Sequence, residues 1–379
     1  MAVRQSYSFE AQQAATDRIT FVGTSSYSTT TVRTGAASLR CNPASGATGR
    51  VLLDISTVGD FVHFGLNIAT LPSLDRVIFG QIAAGNVNVR LTSTGGLALY
   101  INTTLMGTSV NLSTATWYWI GVRTLTGTSV AFLQIDGLDS VTGTGTVSGT
   151  PVSLGFIGTE ASAADIFFDD VIVDNAAFLS NGKADIALPI SDNTVTGVTD
   201  ANGATTNLWQ AVDNTPPAGV ASANEAANPK ASIKYPASVT EDYLANLETY
   251  TTLGIASGDT VLAVQSIVRH GEDITTGTKN LQNVGALTNP TVAGASVTAG
   301  SGGGDHAAES GANFWVTTFG TVTTSPSVTL GTSPTIRTSR VSESRVACID
   351  FMGMNVAWTP GAAAEQVPYV NPMPQLLAQ

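Results

Sequence analysis

Paired carboxylates are the first chemistry to look for in a chain of 379 residues that carries 28 Asp and Glu. A retaining glycosidase sets its acid and its nucleophile about 5 to 5.5 Å apart, which on a strand means acids two or four residues apart on one face. No E-x-D-x-x-E pattern occurs; the nearest acidic clusters are Glu241-Asp242 and Asp169-Asp170, and adjacent strand residues point to opposite faces. The histidines add little. His63 lies inside the apolar run FVHFGLNI, His270 stands in RHGED at a strand-to-turn transition, and His306 in DHAAE is a weak metal-ligand candidate in a glycine-rich stretch. There is no G-x-S-x-G elbow, and residues 271–279 lack the Gly-Lys-Ser/Thr order of a phosphate loop. The expectation is a protein with no catalytic residues and no cofactor. Tyr100, Trp117 and Trp119 could stack on a sugar ring, although a Trp in such a run also serves as a large core residue.

The elements that would position these residues read as strands. Charged residues make up only 12% of the chain against 43% hydrophobic, and Gly contributes 38 residues. Solubility therefore rests on Thr, Ser, Asn and Gly, which disfavours helical bundles and predicts an all-β protein. Residues 6–175 are short β-patterned runs broken by Gly, Ser and Thr at spacings of roughly ten residues. In WYWIGVRTL, residues 117–125, Tyr118, Ile120, Val122 and Thr124 form the face expected to be buried, opposite Trp117, Trp119, Gly121 and Arg123. Thr126-Gly127-Thr128 should turn this run back onto 129–136, which ends at the turn pair Asp136-Gly137. Further strands are expected at 50–55, 61–68, 76–82, 87–91 and 97–101, with Thr94-Gly95-Gly96 as another hairpin. The last run, DIFFDDVIVD at 165–174, is apolar on both faces and so belongs at the centre of a sheet. Its Asp169 then needs a partner or a metal, because an unpaired buried carboxylate costs several kcal/mol.

This order of elements, an N-terminal strand, WYWIGVR, a turn, AFLQIDG and a closing IFFDDVIVDN, resembles the concanavalin A-like or laminin G-like jelly roll over residues 1–178. A sandwich of that type followed by a β-rich half looks like the structural proteins of tailed-bacteriophage virions. The resemblance implies a non-enzymatic subunit on the tail or head surface, assembled in the host cytoplasm and held by other virion proteins and by copies of itself. It equally admits a tail-fibre module that recognises a host surface glycan, and, from another class, a polysaccharide-degrading enzyme. Related jelly rolls often hold Ca²⁺ on rim loops, for which Asp60, Asp75, Asp136 and Asp139 stand at loop-like positions.

The remainder divides into a linker and loop-rich segment at 179–236, a β-rich domain at 237–359 and an extended Pro-rich arm at 360–379. One helix is expected, with Ser238 and Glu241 as a capping box, Leu244, Leu247 and Tyr250 or Thr251 as its inward stripe, and Gly254 as its C-terminal stop. Strands follow at 260–269, 314–323, 327–330 and 345–354, making a second sandwich. The glycine-rich stretch 294–311 and the arm would be ordered by neighbours, with Val367, Tyr369, Val370, Leu376 and Leu377 as the arm's apolar anchors. A net charge of -12 and a pI near 4.5 argue against a nucleic-acid partner. No apolar run reaches the length of a membrane span or a leader, so a cytoplasmic origin is expected. Cys41 and Cys348 are expected as two buried thiols, and the sequons at Asn102, Asn111 and Asn193 as chance matches.

Overall fold

Burial alternates along strands such as Gly49–Leu53 and Glu241–Leu247, while Phe61–Thr70, Asp165–Asp174 and Ala347–Thr359 are buried almost throughout and show how the layers stack. The computed structural model describes residues 3–12, 17–53, 61–80, 86–123, 127–147, 153–200, 203–212, 233–235, 241–272, 278–300, 316–340 and 347–361. Within them the only helical element is a 3-10 turn, Leu208–Ala211, and the strands form four antiparallel sheets. Among the described residues no helix is long and apolar enough to cross a membrane.

Sheet A runs, in spatial order, Leu138–Val147, Gly127–Ile135, Trp117–Arg123, Phe61–Thr70, Asp165–Asp174, Ser38–Cys41 and Ser25–Ser28, with Val3–Tyr7 also paired to Asp165–Asp174. Sheet B runs Thr104–Thr108, Leu97–Ile101, Val87–Leu91, Arg76–Gly80, Ser153–Phe156, Gly49–Leu53 and Ile19–Gly23. Sheet C has Ala347–Thr359 and Thr260–Glu272 at its centre, and sheet D runs Pro189–Thr196, Glu241–Leu247, Thr335–Arg340, Thr278–Thr288 and Ala295–Gly300. The hairpins fall where turn chemistry places them. Trp117–Arg123 pairs with Gly127–Ile135, and Ile135 faces Leu138 across Asp136-Gly137, both of which adopt positive φ as the tight hairpin turn requires. Residues 124–126 lie outside the described ones.

Three apolar interfaces separate four layers. Phe64, Phe79, Leu99, Ile120 and Phe168 belong to the core between sheets A and B, and Tyr243, Val268, Ile336, Met352 and Trp358 to the core between C and D. A third layer joins the two sandwiches: Trp119, Ile172 and Leu179 meet Leu262, Ala263 and Ala357, and Ala11 meets Ile267 and Phe351. The centre of sheet A is therefore covered on both sides, by B and by C. This is why Trp119, on the face expected to be wet, is only 3% exposed, while Ile120 and Val122 fill the first core as expected.

Three expectations need correction. Glu241–Leu247 is a strand, not a helix: Glu241, Tyr243, Ala245 and Leu247 are buried in alternation, and the strand pairs on both sides. Apolar residues at 244 and 247 match a helical stripe by accident, and pairing in sheet D decides for the period of two. Gly254 closes a turn with φ of 81° instead of capping a helix. The segment 179–236 contributes the strands Lys183–Ala187, Pro189–Thr196, Thr199–Asp200 and Ile233–Tyr235 to sheets C and D. Residues 327–330 form no strand. The arm residues Val367, Tyr369, Val370, Leu376 and Leu377, and His306, lie outside the described residues. Cys41 and Cys348 are buried and no disulfide joins them.

If Trp119 is the keystone between the sandwiches, Trp119→Ala should cost about 3–5 kcal/mol of stability. Urea denaturation should show a smaller loss for Trp117→Ala, because Trp117 is only half-buried.

Candidate functional site

Asp169 finds its partners inside the protein. The strand Asp165–Asp174 bulges between Asp169 and Ile172, with Asp170 at a φ of 51°, so both aspartates are buried against the loop that carries Arg33. The backbone N–H groups of Arg33, Thr34 and Asp170 donate to Asp169, the first at 2.8 Å. Asp170 takes the Arg33 guanidinium, the Thr34 hydroxyl and the backbone N–H of Ala184. Arg33 also donates to the Gly182 carbonyl and to Asn181, and lies 4.8 Å from the Trp119 ring centre. Burial and the neighbouring Asp170 push the Asp169 carboxyl well above the usual range. This constellation ties the first sandwich to the first strand of the second, which is structural work.

Two more carboxylates converge at the same junction. Glu10 accepts from the backbone N–H groups of Ala36 and Ala37, and a side chain at Gly35 would strike Glu10 at 2.3 Å and Asp185 at 3.0 Å. Burial, with Asp185 nearby, raises the Glu10 carboxyl to about 8; burial raises Asp185 to about 7, and the same cause brings Glu241 to about 7. His63 behaves in the opposite sense. Its Nδ1 lies 3.3 Å from the Ile172 carbonyl, its Nε2 accepts the Leu179 N–H at 3.0 Å and its ring stacks on Trp119, so burial lowers it to about 4 and it stays neutral. Beside this junction is a cavity of about 10 Å³, lined by Ser6, Asp17, Arg18, Gln265, Phe319 and Asn355, which has room for one water.

The Ca²⁺ candidates do not assemble. Asp75 accepts from Ser93, Asp136 from the Trp119 N–H and Asp139 from Gln134, while Asp60 lies outside the described residues. Among the described residues no group of three or more metal-ligating side chains converges.

The surface best built to hold a ligand is the outward face of sheet B. Leu97, Leu99 and Ile101 enter the core, which turns Tyr100 outward; Val87, Val89 and Leu91 do the same for Asn88 and Arg90. In the register Asn88 and Leu105 stand opposite Tyr100 on its two neighbouring strands. The Arg90 guanidinium lies 4.0 Å from the Tyr100 ring centre, and its Nε donates to Asn88 at 3.3 Å. Tyr100 and Arg90 are half-buried and Leu105 is 50% exposed. Farther along the face, Arg50 stands opposite Gly155 and Leu52 opposite Ser153, turned out by Val51 and Leu154 in the core. Of the three aromatics singled out in the sequence, only Tyr100 belongs here. Trp117 is on sheet A, and Trp119 is buried with its Nε1 donating to the Leu179 carbonyl at 2.9 Å, so neither joins Tyr100. Arg50 and Arg90 were not singled out; period-two alternation in RVLL and VNVRL was the available signal.

No protein-family model matches this chain, and no curated protein sequence does. Its fold is similar to that of solved structures at low identity. The cellulose-induced protein Cip1 is 15% identical with a TM-score of 0.39, over 45% of this chain and 97% of that one. Domain 4 of AbnA, an extracellular GH43 arabinanase from Geobacillus stearothermophilus solved with arabinotriose, is 15% identical with a TM-score of 0.36, over 47% and 95%. A sialidase from Trypanosoma rangeli is 12% identical with a TM-score of 0.32, over 41% of this chain and 28% of that one. The likeness is one of all-β sandwich fold.

The junction acids give a pH dependence. Their carboxyls keep protons in the folded state up to pH 7–8 but lose them near 4 when unfolded, so the stability they lend is complete below about pH 4 and is lost as pH rises through 7 and 8. His63 acts only below its unfolded value of 6.5, where falling pH destabilises. The thermal midpoint should therefore fall between pH 6.5 and 8.5, and Glu10→Gln should flatten that slope. Removing Arg33 by Arg33→Ala leaves Asp170 buried without its counter-charge and should cost about 3–5 kcal/mol by urea titration.

Proposed function

We propose that this chain is a carbohydrate-binding module without catalysis, with the outward face of sheet B as its contact surface. The Arg90–Tyr100 stack carries the reading. A sugar ring offers apolar C–H faces edged by hydroxyls, and a half-buried tyrosine beside a guanidinium that the buried Asn88 orients supplies both a stacking plane and hydrogen-bond donors. The sheet is backed by a dense core, so its groups are held in place before a ligand arrives. The setting proposed for it is a phage tail fibre that recognises a host surface glycan.

A second reading is a non-enzymatic virion subunit, a minor tail or decoration protein held by other virion proteins and by copies of itself. What supports it is the rigid four-layer stack, since two sandwiches fused across buried apolar surface make a stiff building block. Its docking element would be the arm at 360–379. Immunogold labelling of intact particles tests this: particles of the source phage that carry no label, or that incorporate a chain truncated at 360 as well as the full chain, count against it.

The binding reading is tested with an array of oligosaccharides and the full chain. Tyr100→Ala should weaken the strongest hit about tenfold, the loss of roughly 1.4 kcal/mol of stacking, while the thermal midpoint stays close to that of the parent protein. An unchanged affinity would remove Tyr100 from the contact surface, and release of reducing ends from the bound polymer would point to a polysaccharide-degrading enzyme instead.

A further inference from the structure

The chain has 28 acidic and 16 basic side chains, yet the seven described strands of sheet B contain no Asp or Glu while holding Arg50, Arg76 and Arg90. Sheet A, directly behind, has four aspartates on the strand Asp165–Asp174 alone. Six of the chain's twelve arginines, Arg33, Arg40, Arg76, Arg269, Arg337 and Arg340, each meet a carboxylate. Arg76 is fully buried, where it also donates to the carbonyls of Ser162, Ala47 and Gly158. Arg123, on sheet A, meets no carboxylate among the described residues and packs instead on Phe61 and Phe132; Arg50 and Arg90 are the two such arginines on sheet B. Both point outward and are half-buried, and among the described residues neither has a carboxylate within ion-pair distance.

Two further observations mark this face as built to receive a partner. Arg50 Nε is shielded from solvent and meets no acceptor among the described residues, and on the neighbouring strand Ser153 Oγ, in a residue 1% exposed, likewise has no hydrogen bond among them. An unmade hydrogen bond of this kind is a standing cost of the fold at this place. Arg90 lies over the Tyr100 ring with its Nε on Asn88, and its two Nη groups form the fork that suits a carboxylate. The two arginines stand on strands three steps apart in sheet B, roughly 14 Å at about 4.8 Å per step. That separation is spanned by an oligosaccharide and not by a single sugar.

We propose that this face selects carboxylate-bearing glycans, with Arg50 and Arg90 contacting acidic groups on different sugar units and Tyr100, on the strand beyond Arg90, stacking on a sugar at that end of the site. Selectivity of this kind rests on the carbohydrate-binding reading above and goes beyond it in naming the ligand's charge. With the rest of the molecule strongly acidic, an anionic polymer would be repelled elsewhere and admitted here, so orientation as well as affinity follows from the charge pattern.

The experiment uses the full chain and matched probes: oligogalacturonate, oligomannuronate and oligosialic acid, each beside its carboxyl-reduced neutral form, titrated by calorimetry at low and at physiological salt. The expected result is binding to at least one acidic probe, at least tenfold weaker binding to its neutral counterpart, and weakening by salt. Arg50→Gln and Arg90→Gln should each lower the acidic affinity about tenfold. Arg337→Gln, which removes the same charge from the second sandwich, should leave it unchanged. Equal binding of acidic and neutral partners, or an equal effect of Arg337→Gln, overturns the charge selectivity while the carbohydrate reading stands. If no probe binds and the wider oligosaccharide array is also blank, the carbohydrate reading itself falls.

Discussion

Arg33 reaches from a loop of the first sandwich to Asp170, and the connection between the two sandwiches is organised around that contact. The same guanidinium holds Asn181 and Gly182, where the chain leaves sheet A, and packs on Trp119. Asp170 in turn accepts from Ala184 in the first strand of sheet C. A buried carboxylate is tolerable only when its charge and its lone pairs are matched, so the bulge, the loop at Arg33 and the crossing chain must all be in place together. Because they are, the wet face of sheet A can be given up and covered by sheet C.

That covering divides the surfaces by role. The central strands of sheets A and C are buried on both faces, which leaves the outward faces of B and D, and the outer strand Leu138–Val147 of sheet A, to meet other molecules. Sheet B lacks carboxylates in a chain whose surface is otherwise acidic, and the difference is large enough to be chemical in meaning. Evenly spread acids would have placed some on seven strands; their absence keeps Arg50 and Arg90 uncompensated, the second of them beside an aromatic ring. The junction serves the opposite purpose. Glu10, Asp185 and the neutral His63 are held in protonation states that suit a dry interface, and their cost is set by pH instead of by a ligand.

Much of the first sandwich was readable from residue order. Period-two alternation located the strands at 61, 87 and 97, and Asp136-Gly137 announced its own hairpin because few other pairs tolerate two consecutive positive φ angles. Asp169 was legible as a problem needing a partner, but the partner was not, since Arg33 is 136 residues away in the chain. The stretch around Glu241 failed for a different reason. Its apolar residues satisfy both a helical and a strand period over seven positions, and only the neighbouring strands Pro189–Thr196 and Thr335–Arg340 resolve the ambiguity.

The candidate site divides along the same line. Sequence alone determined that the protein is all-β, that it is acidic, and that Tyr100 is an aromatic on a strand, because composition and short-range alternation are local properties. Tertiary structure decided that Trp119 is a keystone and Tyr100 a surface group, and that Arg50 and Arg90 share a face without acids. Those facts depend on which strands become neighbours and which sheet is covered, and such long-range pairing is set by the summed burial of the whole fold and by no single stretch of the chain.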